Sequence, residues 1–240
     1  MPDKKKTVFH WSSGKDSALA LHYLLKRADV QISHLVTTIN QSLRRVTMHG
    51  TPISLVKAQL GSIGLPHSFI ELPESPSMKV YEKCMEDKLL KLKDQGMTHA
   101  AFGDIFLEDL KKYREEEMKK VHLECLFPIW KKDTTQLIHE FIEQGFKAVT
   151  VCVNDQLGED FLGREIDDEF LKDLPPSIDP CGENGEFHTF CYDGPVFKQP
   201  IDFKLGEKVK RSYPNPSRDG EVYFWFIDLL NVNNGQSVSP

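Results

Sequence analysis

Short apolar runs alternate with helical patterns through the first 150 residues, and this alternation restricts the fold more than any other property of the sequence. The first helical pattern covers residues 16–28, and most neighbouring apolar runs have one helical segment between them. Short runs rich in β-branched or aromatic residues are typical of buried parallel strands. Right-handed strand–helix–strand units of this kind predict an α/β fold with a doubly wound parallel sheet. The apolar runs lie at 7–11, 32–39, 67–73, 98–106, 123–129 and 147–153.

The last third of the chain has a different pattern. Turn-forming pairs such as Asp193-Gly194 and Asp219-Gly220 separate apolar segments at 187–194, 200–213 and 221–232. These segments predict antiparallel strands. We therefore expect an α/β domain over residues 1–155, a smaller α+β C-terminal part over 156–232, and a disordered tail over 233–240.

Charge and cysteine content exclude several classes of protein. A net charge of -6 in 240 residues argues against a large nucleic-acid surface, which needs clustered Lys and Arg. The cysteines are odd in number and widely spaced without a C-x-x-C pair, which excludes zinc-ribbon and thioredoxin-like motifs. No run approaches the roughly 18 apolar residues of a membrane span. The sequence predicts a cytoplasmic protein with reduced thiols, at Cys84, Cys125, Cys152, Cys181 and Cys191.

The stretch FHWSSGKDSALA, residues 9–20, follows the first predicted strand and opens the first predicted helix. It is not a Walker A loop, because Phe9 stands where the first Gly is required and Asp16 follows Lys15. The dinucleotide pattern G-x-G-x-x-G is also absent. The stretch nevertheless favours binding of an anion, because it combines backbone N–H groups at a helix N-terminus with serine hydroxyls and one lysine. The alternative is an ordinary capped helix after a strand.

The six residues 12–17 resemble the PP-loop of the N-type ATP pyrophosphatases, whose pattern is S-G-G-K-D-S. Ser13 replaces the first glycine of that pattern. The resemblance implies binding of ATP and Mg²⁺, release of pyrophosphate, and a fold like that of the adenine nucleotide alpha hydrolases. The implied nucleotide-binding residues are Ser12, Ser13, Gly14, Lys15, Asp16 and Ser17.

Two further stretches, 101–116 with LFPIW at 126–130 and DPCGENGEFHTF at 179–190, resemble the diphthine–ammonia ligase family of PP-loop proteins. The resemblance extends from about residue 7 to about residue 195. It implies a reaction that adds ammonia to a carboxylate through an acyl adenylate, giving an amide, AMP and pyrophosphate.

Gly103 and Asp104 follow a predicted strand, at the edge where open α/β sheets bind ligands. Both are candidate cofactor-binding residues, and Asp104 joins Asp16 as a candidate Mg²⁺ ligand. An N-cap role for Asp104 is the equally weighted alternative. Arg114 is expected on a solvated helix face. His49 matches a family position, with a purely structural role as the alternative.

Two carboxylates and a histidine lie within six residues around Asn184 and Gly185, namely Glu183, Glu186 and His188. Such a group can bind a metal, orient an amine or move a proton. A turn with solvated charges is the alternative. Members that make diphthamide typically have E-G-G-E-[FY]-E-[TS] here, whereas this chain has ENGEFHT. That variant is similar to a bacterial branch for which a role in cobalamin salvage has been suggested. A changed substrate is therefore expected, with a corrinoid acid in place of diphthine.

Together these features predict an ATP-dependent, AMP-forming C–N ligase. The predicted partners are a small-molecule or protein-borne carboxylate and ammonia, without stable nucleic-acid or membrane binding, and a homodimer is possible. A tRNA-modifying PP-loop enzyme and a nucleotide sensor without turnover are the alternatives. The predicted catalytic residues are Lys15, Asp16, Glu183, Glu186 and His188.

Overall fold

The computed structural model describes residues 4–47, 49–214 and 220–232. Strands and helices alternate up to residue 154, and strands dominate the remainder. The strands are β1 Lys5–His10, β2 Val30–Asn40, β3 Arg45–Val46, β4 His67–Leu72, β5 His99–Ala101, β6 Glu124–Leu126, β7 Lys147–Asn154, β8 Phe187–Asp193, β9 Phe203–Pro214 and β10 Glu221–Asn231. The helices are α1 Lys15–Leu25, α2 Ile53–Ile63, α3 Met78–Asp94, α4 Glu108–Lys120, α5 Thr134–Glu143 and α6 Asp168–Asp173.

Five parallel strands form the first sheet in the order β4-β2-β1-β5-β6, and β3 pairs antiparallel with the end of β2. The chain runs outward from β1 in one direction through β2 and β4, then returns to the other side of β1 with β5 and β6. The strand order therefore reverses beside β1. This arrangement confirms the predicted doubly wound parallel sheet.

Helices cover both faces of this sheet. Neighbouring residues of β1 point to opposite faces, as strand geometry requires. Phe9 belongs to a core shared with Leu21 of α1 and Leu55 of α2. Val8 belongs to a second core, shared with Leu89 of α3 and Met118 of α4.

The second sheet is antiparallel, in the order β8-β7-β10-β9. It confirms the three antiparallel strands predicted for the last third of the chain. The predicted strand at 147–153 forms as β7, but its expected place in the parallel sheet was wrong. β7 is an inner strand buried along most of its length, and its apolar run therefore looks like that of a buried parallel strand.

The division of the chain at residue 155 stays a prediction, although β7 pairs with strands from beyond it. One buried core contains residues of both sheets, including Phe9 and Leu35 of the first and Phe190 and Ile227 of the second. The predicted tail at 233–240 lies outside the described residues. Within the described ranges, no helix is long and apolar enough to cross a membrane.

Candidate active site

The loop between β1 and α1 lies at the carboxyl edge of the parallel sheet, beside the point where the strand order reverses. Open α/β sheets bind their ligands at this position. Gly14 is the residue before α1, and the first-turn N–H groups of α1, which have no partner within the helix, give this end of the helix a partial positive charge. Ser17 donates from its hydroxyl to the Gly14 carbonyl over 2.9 Å.

Ser13 adopts a left-handed backbone conformation with φ of 73°, which is uncommon for any residue but glycine. Neighbouring elements hold it there. Its carbonyl accepts from the Cys191 N–H at 2.9 Å and from Gln59 Nε2 at 3.1 Å, and its hydroxyl lies 3.1 Å from Thr51 Oγ1. A serine therefore occupies the position at which the PP-loop pattern has glycine.

Two glycines allow the backbone to pack closely around the loop. A Cβ atom on Gly103 would lie 3.1 Å from the carbonyl carbon and oxygen of Asp16 and from the Ser17 nitrogen. A Cβ atom on Gly14 would lie 2.7 Å from Cε1 of His49. The chain after β5 and the His49 ring thus both contact the loop directly.

Lys15 is buried, with 4% of its side chain exposed. Its ammonium group donates to the Asp16 carboxylate, at 2.7 and 2.9 Å, and to the Cys181 carbonyl. Burial alone would lower the pKa of Lys15, but nearby groups, with Asp16 the largest, raise it above its ordinary value. Lys15 is therefore a fixed positive charge covered by the segment around Cys181.

Glu183 links the 179–190 segment to the end of β5. Its Oε1 accepts from the backbone N–H groups of Ile105 at 2.8 Å and Phe106 at 3.4 Å. Burial, followed by the negative charge of Asp16, raises the pKa of Glu183 to about 7. A carboxyl group that titrates near neutral pH suits proton transfer.

Glu186 is 5% exposed and stabilises the turn in which it lies. Its Oε1 accepts from the Asp179 N–H and from the Asn184 side-chain amide, each at 3.1 Å. Its Oε2 has no hydrogen-bond partner among the described residues. These contacts order the 179–186 turn, and a catalytic role for Glu186 stays a prediction.

His188 and His49 come together beside the loop, with ring centroids 4.9 Å apart. Burial lowers the pKa of both, that of His188 to about 3. Thr189, which the sequence analysis did not single out, contacts both the loop and His49. Its hydroxyl accepts from the Lys15 N–H at 3.0 Å, and its carbonyl lies 3.1 Å from His49 Nδ1.

Asp104 is paired with Arg114, whose Nε and Nη2 donate to its two carboxylate oxygens at 2.5 and 3.1 Å. Arg114 also lies over the Phe102 ring, 4.5 Å from its centroid. The expectation that Arg114 points into solvent was wrong, because it pairs with a buried carboxylate. The N-cap alternative for Asp104 was also wrong, because Leu107 is the N-cap residue of α4.

Each predicted Mg²⁺ ligand is paired with a cationic side chain. Both oxygens of Asp104 accept from Arg114, and both oxygens of Asp16 accept from the Lys15 ammonium group. Among residues 4–47, 49–214 and 220–232, no three His, Cys, Asp or Glu side chains are grouped as a metal site. The assignment of Asp16 and Asp104 to a metal stays a prediction.

Gln59 is a fully buried residue of α2 that the sequence analysis missed. It accepts from Trp11 Nε1 at 3.0 Å and donates to the carbonyls of Ser13 at 3.1 Å and Cys191 at 2.6 Å. It therefore joins β1, the loop and β8. The sequence did offer a signal for this residue: a polar side chain lies on the apolar side of α2, one turn from Leu55 and Ile63.

The S-S-G-K-D-S loop at 12–17 follows the first strand of a doubly wound sheet, and the acidic 179–190 segment packs against its buried lysine. These features define an α/β protein of the PP-loop type. Models of the two domains of diphthamide synthase match this sequence, the N-terminal domain over residues 5–124 and the C-terminal domain over residues 133–214. The chain belongs to the diphthamide synthase family.

Relatives named diphthine–ammonia ligase include one from Bos taurus, 31% identical over 176 residues, which cover 67% of this chain and 64% of that protein. One from Homo sapiens is 31% identical over 149 residues, which cover 56% of this chain and 55% of that protein. The chain thus spans somewhat more than half the length of these relatives.

Two solved structures show a weaker similarity. One is described as a predicted subunit of tRNA methyltransferase from Methanocaldococcus jannaschii, with a TM-score of 0.38, 18% identity, and coverage of 59% of this chain and 77% of that one. The other is a U34-tRNA thiolase from Methanococcus maripaludis, with a TM-score of 0.37, 15% identity, and coverage of 59% and 58%.

Proposed function

We propose that this protein is an ATP-dependent ligase that adenylates a carboxylate, releases pyrophosphate, and transfers the acyl group to ammonia to give an amide and AMP. One observation carries the proposal: the acidic 179–190 segment packs against Lys15 of the loop at 12–17. Lys15 contacts Asp16 and the Cys181 carbonyl, and Glu183 lies close enough to influence the pKa of Lys15. A phosphate-binding group and a proton-transfer group therefore share one site.

In this proposal the phosphates of ATP are held by the N–H groups of the first turn of α1 and by Ser12, Ser13 and Lys15. These donors are fixed before ATP binds, because β8 and Gln59 hold the loop from two sides. Preorganised donors stabilise the charge that develops at the reacting phosphate without having to rearrange. Ser17 and Gly103 serve the site by shaping the loop.

Asp16 is the better-placed of the two candidate Mg²⁺ ligands, because it lies on the loop itself and 33% of its side chain is exposed, against 10% for Asp104. Mg²⁺ prefers carboxylate and phosphate oxygens, which Asp16 and ATP would both supply. Bound there, the ion would neutralise phosphate charge.

Diphthine on a protein is the first acid to test, because the relatives are named for it. The corrinoid acid predicted from the ENGEFHT variant receives no support from these relatives and remains a second acid to test. Ammonia is the proposed acyl acceptor in both cases.

The decisive experiment supplies ATP labelled at the α-phosphate, Mg²⁺, ammonium and each acid, and follows AMP and pyrophosphate. We expect acid-dependent AMP, reduced about 10²-fold or more in Lys15→Met, because a fixed charge at the phosphates is lost. Lys26→Met is the matched control, since Lys26 is exposed just after α1. Circular dichroism checks that both variants are folded.

Other products would overturn the proposal. ADP would contradict cleavage between the α and β phosphates. ATP that binds but is never cleaved, with either acid, would favour the nucleotide sensor. AMP formation that depends on added tRNA instead of an acid would favour the tRNA-modifying alternative.

A further inference from the structure

His49 precedes Gly50 between β3 and α2 and has one nitrogen fixed by its surroundings. Its Nδ1 lies 3.1 Å from the Thr189 carbonyl oxygen. A carbonyl oxygen accepts hydrogen bonds and cannot donate, so Nδ1 must carry the proton. In the neutral ring, Nε2 is then the unprotonated nitrogen with a free lone pair.

The groups around His49 keep the ring neutral. Burial is the largest influence and lowers the pKa of His49, and the charge of Lys15 lowers it further. The Thr189 hydrogen bond and the charge of Asp16 oppose this change without reversing it. The adjacent ring of His188 has its own pKa lowered to about 3 and adds no charge.

The Cε1–Nδ1 edge of the His49 ring faces the loop, because a Cβ on Gly14 would lie 2.7 Å from Cε1 and 3.3 Å from Nδ1. Nε2 is bonded to Cε1 and therefore lies one bond from the ring atom nearest to Gly14. Nε2 makes no hydrogen bond to another described residue. A hydrogen-bond acceptor is poorly suited to phosphate oxygens, which are acceptors too. It is well suited to a ligand that carries N–H protons.

We propose that Nε2 of His49 accepts the proton from the amine that attacks the activated carboxylate. This inference rests on the proposed ligase function. The ammonia nitrogen forms a bond to the acyl carbon, the bond from that carbon to the AMP oxygen breaks, and AMP leaves with the electron pair. One N–H proton of the attacking nitrogen moves to Nε2.

The inference gives His188 a specific role as a positioning residue. A carboxylate within about 4–6 Å of an imidazole favours its protonated form. The uncharged ring of His188 instead leaves His49 free to accept a proton. Placing a carboxylate there with His188→Glu should raise the pH below which the amide-forming step declines.

The tautomer is measurable without any substrate. In protein labelled with ¹⁵N-histidine, the His49 resonances, assigned with His49→Asn, should show a protonated Nδ1 and an unprotonated Nε2 at pH 7. A protonated Nε2 at that pH would overturn the inference.

The catalytic role is tested with His49→Asn, whose side-chain amide can still donate to the Thr189 carbonyl but has no counterpart of Nε2. Adenylation is followed by exchange of labelled pyrophosphate into ATP with a diphthine-bearing protein, and amide formation by adding ammonium chloride. We expect exchange within a few-fold of wild type and amide formation reduced about 10²-fold or more.

Each other outcome has a distinct meaning. Equal losses in both steps would show that His49 only supports the loop, and an unchanged amide step would show that it is not the proton acceptor. If the wild-type protein catalysed no acid-dependent exchange, the ligase function would fail and the role of His49 would fail with it.

Discussion

At the scale of one residue, Glu183 is subject to opposing influences on its ionisation. One of its oxygens accepts two backbone N–H groups, which favour the ionised form, yet burial and Asp16 favour the protonated form more strongly. The result is a carboxyl group whose pKa of about 7 lies well above its ordinary 4.5. Its ionisation therefore opposes folding.

Glu183→Gln should remove this opposition. Because the pKa is raised in the folded protein, the stabilising contribution of Glu183 is complete below pH 4.5 and is lost as pH rises through 7. The glutamine oxygen can still accept from Ile105 and Phe106. After allowance for solvent screening, the variant should gain about 1–2 kcal/mol over wild type between pH 5 and pH 8. Urea unfolding across this range measures the difference, and a pH-independent difference would contradict the assignment.

At the scale of elements, the end of β5 meets the start of α1 with almost no space between their backbones. Gly103 permits this contact, since any Cβ there would press on the backbone of Asp16 and Ser17. The backbone is less able to yield than a flexible side chain. The geometry of the phosphate loop therefore depends on a strand remote in sequence.

Gly103→Ala should destabilise the protein by about 1–3 kcal/mol, because the added methyl group forces the strand end and the loop apart. It should also weaken ATP binding. Gly61→Ala is the matched control, because Gly61 lies within α2 with open space around it and should gain about 0.5–1 kcal/mol. Thermal unfolding and ATP titration measure both effects, and equal behaviour of the two variants would refute the role of Gly103.

The parallel strands, both helical layers and the antiparallel strands could be predicted because apolar periodicity and turn residues are local signals. The loop at 12–17 was equally visible as a sequence motif. The sheet that contains β7 could not be predicted, because a buried inner strand has the same apolar pattern in either sheet. The contacts of Gln59 and Thr189 depend on partners far along the chain. No local pattern encodes such contacts.

At the scale of the whole molecule, the two sheets share one core and meet at the phosphate loop. The Cys191 N–H binds the Ser13 carbonyl, and Gln59 binds the carbonyls of both residues. Unfolding either sheet alone would break these buried hydrogen bonds and expose the apolar core that the two sheets share. The described residues should therefore unfold as one cooperative unit.

Fluorine-labelled tryptophan tests this expectation, since the three tryptophans sample different regions. Trp11 follows β1, Trp130 follows β6, and Trp225 lies in β10 of the second sheet. Their native ¹⁹F resonances should disappear at one common urea concentration. Loss of the Trp225 resonance at a clearly lower concentration would instead show that the second sheet unfolds separately.

The bond between Ser13 and Cys191 also has a consequence for synthesis on the ribosome. The loop at residues 12–17 emerges long before the strand that supports it, because β8 begins only at residue 187. Until β8 leaves the exit tunnel, Lys15 has no Thr189 hydroxyl or Cys181 carbonyl to contact. A nascent chain should therefore acquire its nucleotide site late and nearly all at once.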